Sequence, residues 1–313
     1  MPSLLKLVSA LGVLAAAASA YPNPGKVSGS TQVHDPTMCK NSAGTYFVFG
    51  TGKGIPILTS SDRVTFTSAG VVWPNGAPSA TDQFTGTTNG DLWAPDCTYL
   101  NGKFYLYYAA SSFGSQTSGI FLASSTTGTQ GTWTDHGLVT STKSGDSFNA
   151  IDPNLLIDNG DWILTLGSFW TGIKEISIAS STGKPSSTAV TSLEQRTANN
   201  GAVEASTMWK SGSYYYLFTS WDKCCKGLSS TYNIRVGRST SAKGPFVDKS
   251  GVKLTDGGGT LVLETHGSIV GPGGQDIMSD GDGTVIVYHY YTATSSLLGI
   301  NLLDFSSGWP VVV

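Results

Sequence analysis

From residue 21 onward the apolar positions fall in short runs separated by Gly, Asn or Ser/Thr turns, and no window carries a sustained helical period. One arrangement recurs five times: an acidic residue, a short interval, a turn glycine and an apolar strand. Asp35 precedes Gly44-Thr-Tyr46-Phe-Val-Phe49, Asp96 precedes Gly102-Lys-Phe104-Tyr-Leu-Tyr107, and Asp152 precedes Gly160-Asp-Trp162-Ile-Leu-Thr165. Glu204 precedes Gly212-Ser-Tyr214-Tyr-Tyr-Leu217, and Gln275-Asp276 stands before Gly283-Thr-Val285-Ile-Val-Tyr288. A second apolar strand headed by Gly or Asn follows each of these (Gly54, Gly119, Gly172, Asn233, Gly299). A last short strand carries an aromatic in four of the five units (Phe66, Trp133, Phe246, Trp309).

Counting the acid-bearing segment, each unit has four short strands, and units of roughly 58 residues fill the chain. Four-stranded antiparallel units repeated at a fixed period predict an all-β fold, a five-bladed β-propeller formed as one domain over residues 21–313. The closing strand Trp309-Pro-Val-Val-Val313 suggests that blade five is complete without an N-terminal strand. In a propeller the innermost strands line the central channel, so the five acids are expected at one level around the axis. Clustered carboxylates raise one another's pKa and cost stability, so such a ring points to catalysis rather than to folding.

Composition narrows the partners. Met1-Pro-Ser-Leu-Leu-Lys6, an apolar run to Ala17 and Ala18-Ser-Ala20 read as a secretory signal peptide over 1–20, too short and Ala-rich for a membrane span. Removing it leaves 17 basic against 21 acidic side chains, a net charge of −4, which argues against nucleic acid or an anionic membrane as partner. Charged residues are only 12% of the chain while aromatics are 11%, a secreted β-protein composition able to build a core. Of the four cysteines, adjacent Cys224 and Cys225 could form a vicinal disulfide. That leaves Cys39 to pair with Cys97, or both to be free buried residues. There is no zinc-type spacing and no N-glycosylation sequon.

Five segments are specific enough to name a family. Val33-His34-Asp35-Pro36, Leu92-Trp93-Ala94-Pro95-Asp96, Ile151-Asp152-Pro153-Asn154, Gly167-Ser168-Phe169-Trp170-Thr171-Gly172-Ile173 and Val203-Glu204-Ala205-Ser206 resemble glycoside hydrolase family 43. Within that family they are most similar to the secreted fungal endo-α-1,5-L-arabinanases, across essentially the whole mature chain. The resemblance implies an inverting hydrolase of arabinan, with Asp35 as general base, Glu204 as general acid and Asp152 orienting Glu204 and raising its pKa. The chemistry itself calls for such a set: one acid kept protonated, one kept ionised, and about 6.5–9.5 Å between them for the attacking water.

An Asp before Pro also begins ordinary turns, which is the plain reading of Asp35 and Asp152 taken singly. Asp96, in its Trp-Ala-Pro-Asp turn, reads as structural. Sugar binding needs flat apolar faces beside hydrogen-bonding groups, which makes His34, Trp93, Phe113, Ser168 and Trp170 the substrate-binding candidates. Trp133, Phe246 and Trp309 read as packing between blades. His136 reads as surface, with His266 and His289 near the inner strands of blade five.

Many family members carry a His after Gly-Pro-Gly in blade five that faces a central hydrated ion. Here the segment is Gly271-Pro-Gly-Gly-Gln275-Asp276, so Gln275 takes that place; it could contact a calcium-like ion through water, or the channel could hold only water. No cofactor is required by any motif present. The expected partner is the arabinan polysaccharide, with no nucleic acid and no membrane, and the protein is expected to be a secreted monomer. The rival readings are an exo-acting α-L-arabinofuranosidase or β-xylosidase of the same family, and a non-catalytic carbohydrate-binding propeller.

Overall fold

The computed structural model of the chain describes residues 21–313; the expected signal peptide, 1–20, lies outside them. Five sheets follow one another along the chain, each running outward from an inner strand. Those inner strands are Thr37–Lys40, Asp91–Leu100, Asn154–Asp158, Val203–Ser211 and Val270–Asp280. Each pairs antiparallel with the strand after it: Tyr46–Phe49, Lys103–Ala110, Asp161–Leu166, Tyr214–Trp221 and Gly283–Tyr291. The glycines anticipated in these hairpins have positive φ, from 57° at Gly212 to 142° at Gly283, a backbone state that a side chain would strain. The fold is the five-bladed β-propeller.

The strands are apolar on both faces because each blade has a neighbour on both sides. In blade one, Phe47 and Phe49 point into a cluster with Phe104, Leu106 and Tyr108 of blade two, whereas Tyr46 and Val48 pack with Val285 and Val287 of blade five. Three further clusters fill the remaining interfaces, around Leu155 and Ile120, Val203 and Ile173, and Ile234 and Ile286. Five blades thus share five interfacial cores in place of one central core. Trp133 and Phe246 are buried in them, and Trp309 packs against the interface of blades four and five.

Ring closure differs from expectation. The strand Val311–Val312 covers only one end of Ser296–Asp304, through Leu303 and Asp304. The other end is taken by the N-terminal segment: Gly25 N–H donates to the Ile300 carbonyl (2.8 Å), Leu298 N–H to Thr31 (2.8 Å) and Val33 N–H to Ser296 (3.2 Å). Blade five does borrow from the N-terminus, because a two-residue terminal strand leaves most of a nine-residue edge unpaired.

The five acids do not share one level. The equivalent residues, set by pairing and by a common left-handed backbone, are Asp35, Ala94, Asp152, Ala205 and Gly274, with φ of 44°, 40°, 54°, 51° and 58°. In blades two, four and five this residue sits within a break in register of the inner strand, a β-bulge that re-aims the side chains beside it. Asp96 and Asp276 lie two residues deeper, level with Thr37, Asn154 and Thr207.

That deeper ring is a clasp in which side chains reach to the next blade. Thr37 Oγ1 accepts from Cys97 N–H (2.9 Å), Asp96 Oδ2 from Leu155 N–H (2.9 Å) and Asn154 Oδ1 from Met208 N–H (2.8 Å). Thr207 donates to the Gln275 carbonyl (2.7 Å), and Asp276 Oδ2 accepts from Met38 N–H (3.1 Å), which completes the circle. The structural reading of Asp96 agrees with this placement. A disulfide between Cys39 and Cys97 ties blades one and two beside the clasp, and Cys224 is bonded to Cys225, so no described cysteine is free.

Candidate active site

All five inner strands begin at the same end of the channel. The residues at and just past these starts line a cavity in which Asp35 and Asp152 meet Ala205 and Gly274, with Asp96, Asn154, Thr207 and Asp276 beneath. Asp tolerates the left-handed conformation better than bulkier residues, which lets blades one and three present a carboxyl where blades two and four present Ala. Glu204 stands one residue before Ala205, and the bulge after it turns its side chain to the same mouth.

Both carboxyl oxygens of Glu204 are engaged by hydroxyls. Its Oε2 accepts from the Ser168 hydroxyl (2.8 Å) and its Oε1 from the Tyr232 hydroxyl (2.9 Å). Burial raises its pKa, the two hydroxyls oppose that, and the Asp35 charge adds to it. Asp152 is pushed well above the usual carboxylate range, first by burial and then by the charges of Glu204 and Asp35. Its Oδ2 accepts the Ala205 N–H (2.9 Å), so it grips the peptide next to Glu204. Burial is thus the first cause of the upward shift in both carboxyls, with the neighbouring acids adding to it. Tyr232 keeps its proton, since burial and the surrounding carboxylates push its pKa well up.

Asp35, half-buried, has a polar setting. Its Oδ2 accepts from Thr51 Oγ1 (2.7 Å), which in turn accepts from Ala94 N–H (2.8 Å). Its own N–H donates to His289 Nδ1 (3.0 Å). His34 stacks on His289 at 4.1 Å between centroids, and its Nε2 lies 3.7 Å from Asp35 Oδ2. Gly274 is required here: a Cβ on it would lie 2.6 Å from Asp35 Oδ1 and 2.8 Å from the His289 ring.

The sugar-binding candidates divide. Trp93 and Phe113 make an edge-to-face pair at 5.6 Å, with Phe113 82% exposed, and Trp170 is 41% exposed. These are open apolar faces. Ser168 is buried with its hydroxyl engaged by Glu204, so it serves that carboxyl instead of meeting a sugar directly. Gln275 is buried; its Oε1 accepts from Ser220 Oγ (2.7 Å) and its Nε2 donates to the Ala205 carbonyl (2.6 Å).

That engagement leaves Gln275 poorly suited to ligating an ion. Both oxygens of Asp96 and both of Asp276 are likewise engaged by donors. His34, Asp35 and His289 bring ligand atoms within 4.8 Å of one another. Both nitrogens of His289 are occupied, however, by Asp35 and by Tyr291. Two free ligands fall short of the three or four of a protein metal centre. The residues do not fit a directly ligated ion.

His289 is at the site itself, wholly buried, while His136 is exposed and His266 holds the N-terminal segment at Pro22. Tyr232, Thr51 and Tyr291 were not among the sequence candidates. Thr51 follows the second strand of blade one as Ser168 follows that of blade three. A hydroxyl just past that strand was the available signal. Tyr232 had its signal in Gly271-Pro-Gly273, since a Cβ at Gly273 would lie 2.2 Å from the Tyr232 ring.

Comparison with known proteins agrees with this geometry. Residues 25–310 match the model of glycosyl hydrolases family 43. The chain belongs to this family and is a glycoside hydrolase. It is 43% identical to the arabinan endo-1,5-alpha-L-arabinosidase A of Aspergillus aculeatus, over 99% of this chain and 100% of that protein. The structure superposes on a family 43 endo-arabinanase of Bacillus licheniformis with TM-score 0.84 and 41% identity, covering 91% of this chain and 99% of the other. An exo-1,5-alpha-L-arabinanase from a bovine ruminal metagenomic library gives the same TM-score at 32% identity, over 92% and 99%.

Proposed function

We propose that this glycoside hydrolase is a secreted endo-1,5-α-L-arabinanase acting as a monomer, by inversion, on the arabinan side chains of pectin. The observation that carries the reading is the convergence of Asp35, Asp152 and Glu204 within electrostatic reach of one another, Asp35 and Asp152 lining the channel cavity and Glu204 standing beside its Ala205 wall. Asp35, half-buried at the cavity wall, takes a proton from water as that water attacks the anomeric carbon. Glu204, raised by burial, gives its proton to the departing glycosidic oxygen, so the bond breaks without expelling an alkoxide. Asp152 sets the peptide that carries Glu204 and holds negative charge away from it by retaining a proton in the empty site. No step is routed through a metal or organic cofactor. All three carboxyls come from one chain, which supports a monomer, and the apolar residue 1–20 leader supports secretion. Among the described residues no helix is long and apolar enough to cross a membrane.

The exposed Phe113 with Trp93 on blade two and Trp170 after the second strand of blade three offer more than one apolar face to a furanose chain, and the endo-acting relatives favour internal cleavage. The exo-acting structural neighbour keeps the alternative in view, because the propeller alone does not separate the two modes. Early products from linear arabinan decide it: a ladder of oligosaccharides is expected, and arabinose or a single short oligosaccharide released from the first minutes would overturn endo action. Glu204→Ala and Asp35→Ala should each abolish reducing-sugar release, which a binding-only propeller would not predict.

A further inference from the structure

A polar chain, buried at its centre, runs from Asp35 to a loop of blade four. His289 lies on the second strand of blade five with no exposed surface, and its Nδ1 accepts the Asp35 N–H. That nitrogen must be unprotonated, so the ring proton sits on Nε2. Nε2 is 2.9 Å from the Tyr291 hydroxyl, two residues along the same strand, and must donate to it. The Tyr291 oxygen also accepts the Cys225 N–H (2.9 Å), and its own proton points to Cys225 Sγ at 3.9 Å. Every atom of the chain has one possible role once the vicinal disulfide turn is in place. Burial and the nearby His34 keep His289 neutral, which this pattern needs.

We infer that Tyr291 is a positioning residue for the base: by accepting from His289 Nε2 it sets the tautomer whose Nδ1 holds the Asp35 backbone. The inference rests on the reading of Asp35 as general base. Asp35 needs such a hold because its backbone is left-handed, a state costing roughly 1 kcal/mol. There is also no slack beside it, since Asp35 Oδ1 and His289 both abut Gly274. In the opposite tautomer, Nδ1–H would face the Asp35 N–H donor to donor, and the bond that fixes the Asp35 backbone would be lost.

The test is Tyr291→Phe, which keeps the ring and removes only the hydroxyl. Turnover of linear arabinan is expected to fall about 10–100-fold with KM changed less than about threefold, because a misplaced base impairs the chemical step and not sugar contacts. Folded sites are counted by arabinotriose binding to Tyr291→Phe in a Glu204→Ala background. Azide supplies the discriminating readout. It is an anionic nucleophile that attacks the anomeric carbon without a base, while Glu204 still protonates the leaving oxygen, so it yields an inverted glycosyl azide.

Azide should restore turnover in Asp35→Ala and, in part, in Tyr291→Phe, but not in Glu204→Ala. His289→Phe, which removes the same bond to Asp35, should behave as Tyr291→Phe does. If Asp35→Ala responds and neither Tyr291→Phe nor His289→Phe does, or if Tyr291→Phe keeps full turnover, the role of Tyr291 is overturned and the base stands. If Asp35→Ala itself fails to respond, the base assignment falls and takes this inference with it.

Discussion

Two rings of side chains, two residues apart on the same five strands, behave in opposite ways. At the mouth, Asp35 and Asp152 stand on left-handed backbone, and with Glu204 they bring three carboxyls within electrostatic reach of one another. Deeper, Thr37, Asp96, Asn154, Thr207 and Asp276 engage neighbouring blades in hydrogen bonds that hold the circle closed. An aspartate is a reactive group in the first ring and a fastening in the second. What separates them is how fully donors engage the carboxyl: both oxygens of Asp96 and of Asp276 are taken, whereas Asp152 accepts a single N–H and Asp35 a single hydroxyl.

Exchanging the roles breaks the comparison most strongly. Glu204→Gln should lower kcat on arabinan by about 10³-fold, the scale of a lost general acid, with thermal stability kept or slightly raised. Asp96→Ala should do the reverse. It leaves Leu155 N–H and the Asn154 amide without their acceptor in a buried place, which should cost about 3–4 kcal/mol in urea unfolding. Its kcat per folded molecule should stay within about threefold of the parent. A large loss of turnover per folded molecule in Asp96→Ala would put the deep ring into the chemistry and end the distinction.

The blades, the inner strands and the three catalytic candidates were legible in the sequence, because turn glycines and apolar strands repeat at a visible period. The level of each acid was not. Asp35-Pro and Asp152-Pro align naturally, and Pro95 tempts one to align Asp96 with them. The residue that truly corresponds is Ala94, which carries no chemistry and is marked only by its φ. Bulges shift register by a residue that periodicity does not record. The partners of Asp35 were hidden for another reason: Thr51, His289 and Tyr291 come from the ends of neighbouring strands, as far as 256 positions away in the chain, and meet only when the ring closes. The borrowed N-terminal edge was likewise invisible, since Gly25 and Thr31–Val33 hold their place through backbone groups that any sequence offers.

A smaller effect should come from pH. Burial raises the Asp276 pKa to about 6 against three hydrogen bonds that oppose it, and the Asp276 charge in turn adds to the upward shift of Asp96. A raised carboxyl binds its proton more tightly in the folded state. Its contribution is therefore complete below about pH 4 and is lost as pH rises through about 6. The difference in unfolding free energy between the parent and Asp276→Asn should change by about 2–3 kcal/mol between pH 4 and 7, the parent losing ground as pH rises. Parallel curves would mean that the deep ring does not titrate in this range. Activity would then be the only property of the channel that pH controls.

The smallest predicted effect probes the mouth alone. Ser168 donates to Glu204 Oε2, a bond that favours the ionised form and so holds the Glu204 pKa below where burial would otherwise carry it. Removing the hydroxyl in Ser168→Ala should raise that pKa. Because the acid works only when protonated, the alkaline limb of kcat/KM should move upward by less than about one pH unit. Tyr232 still donates to the other oxygen, so the side chain keeps its direction and the plateau should fall only a few-fold. A limb that moves downward would mean that Ser168 chiefly receives the Glu204 proton instead of donating its own. In that case the acid is held protonated by its hydroxyl partner, and burial is not its main support.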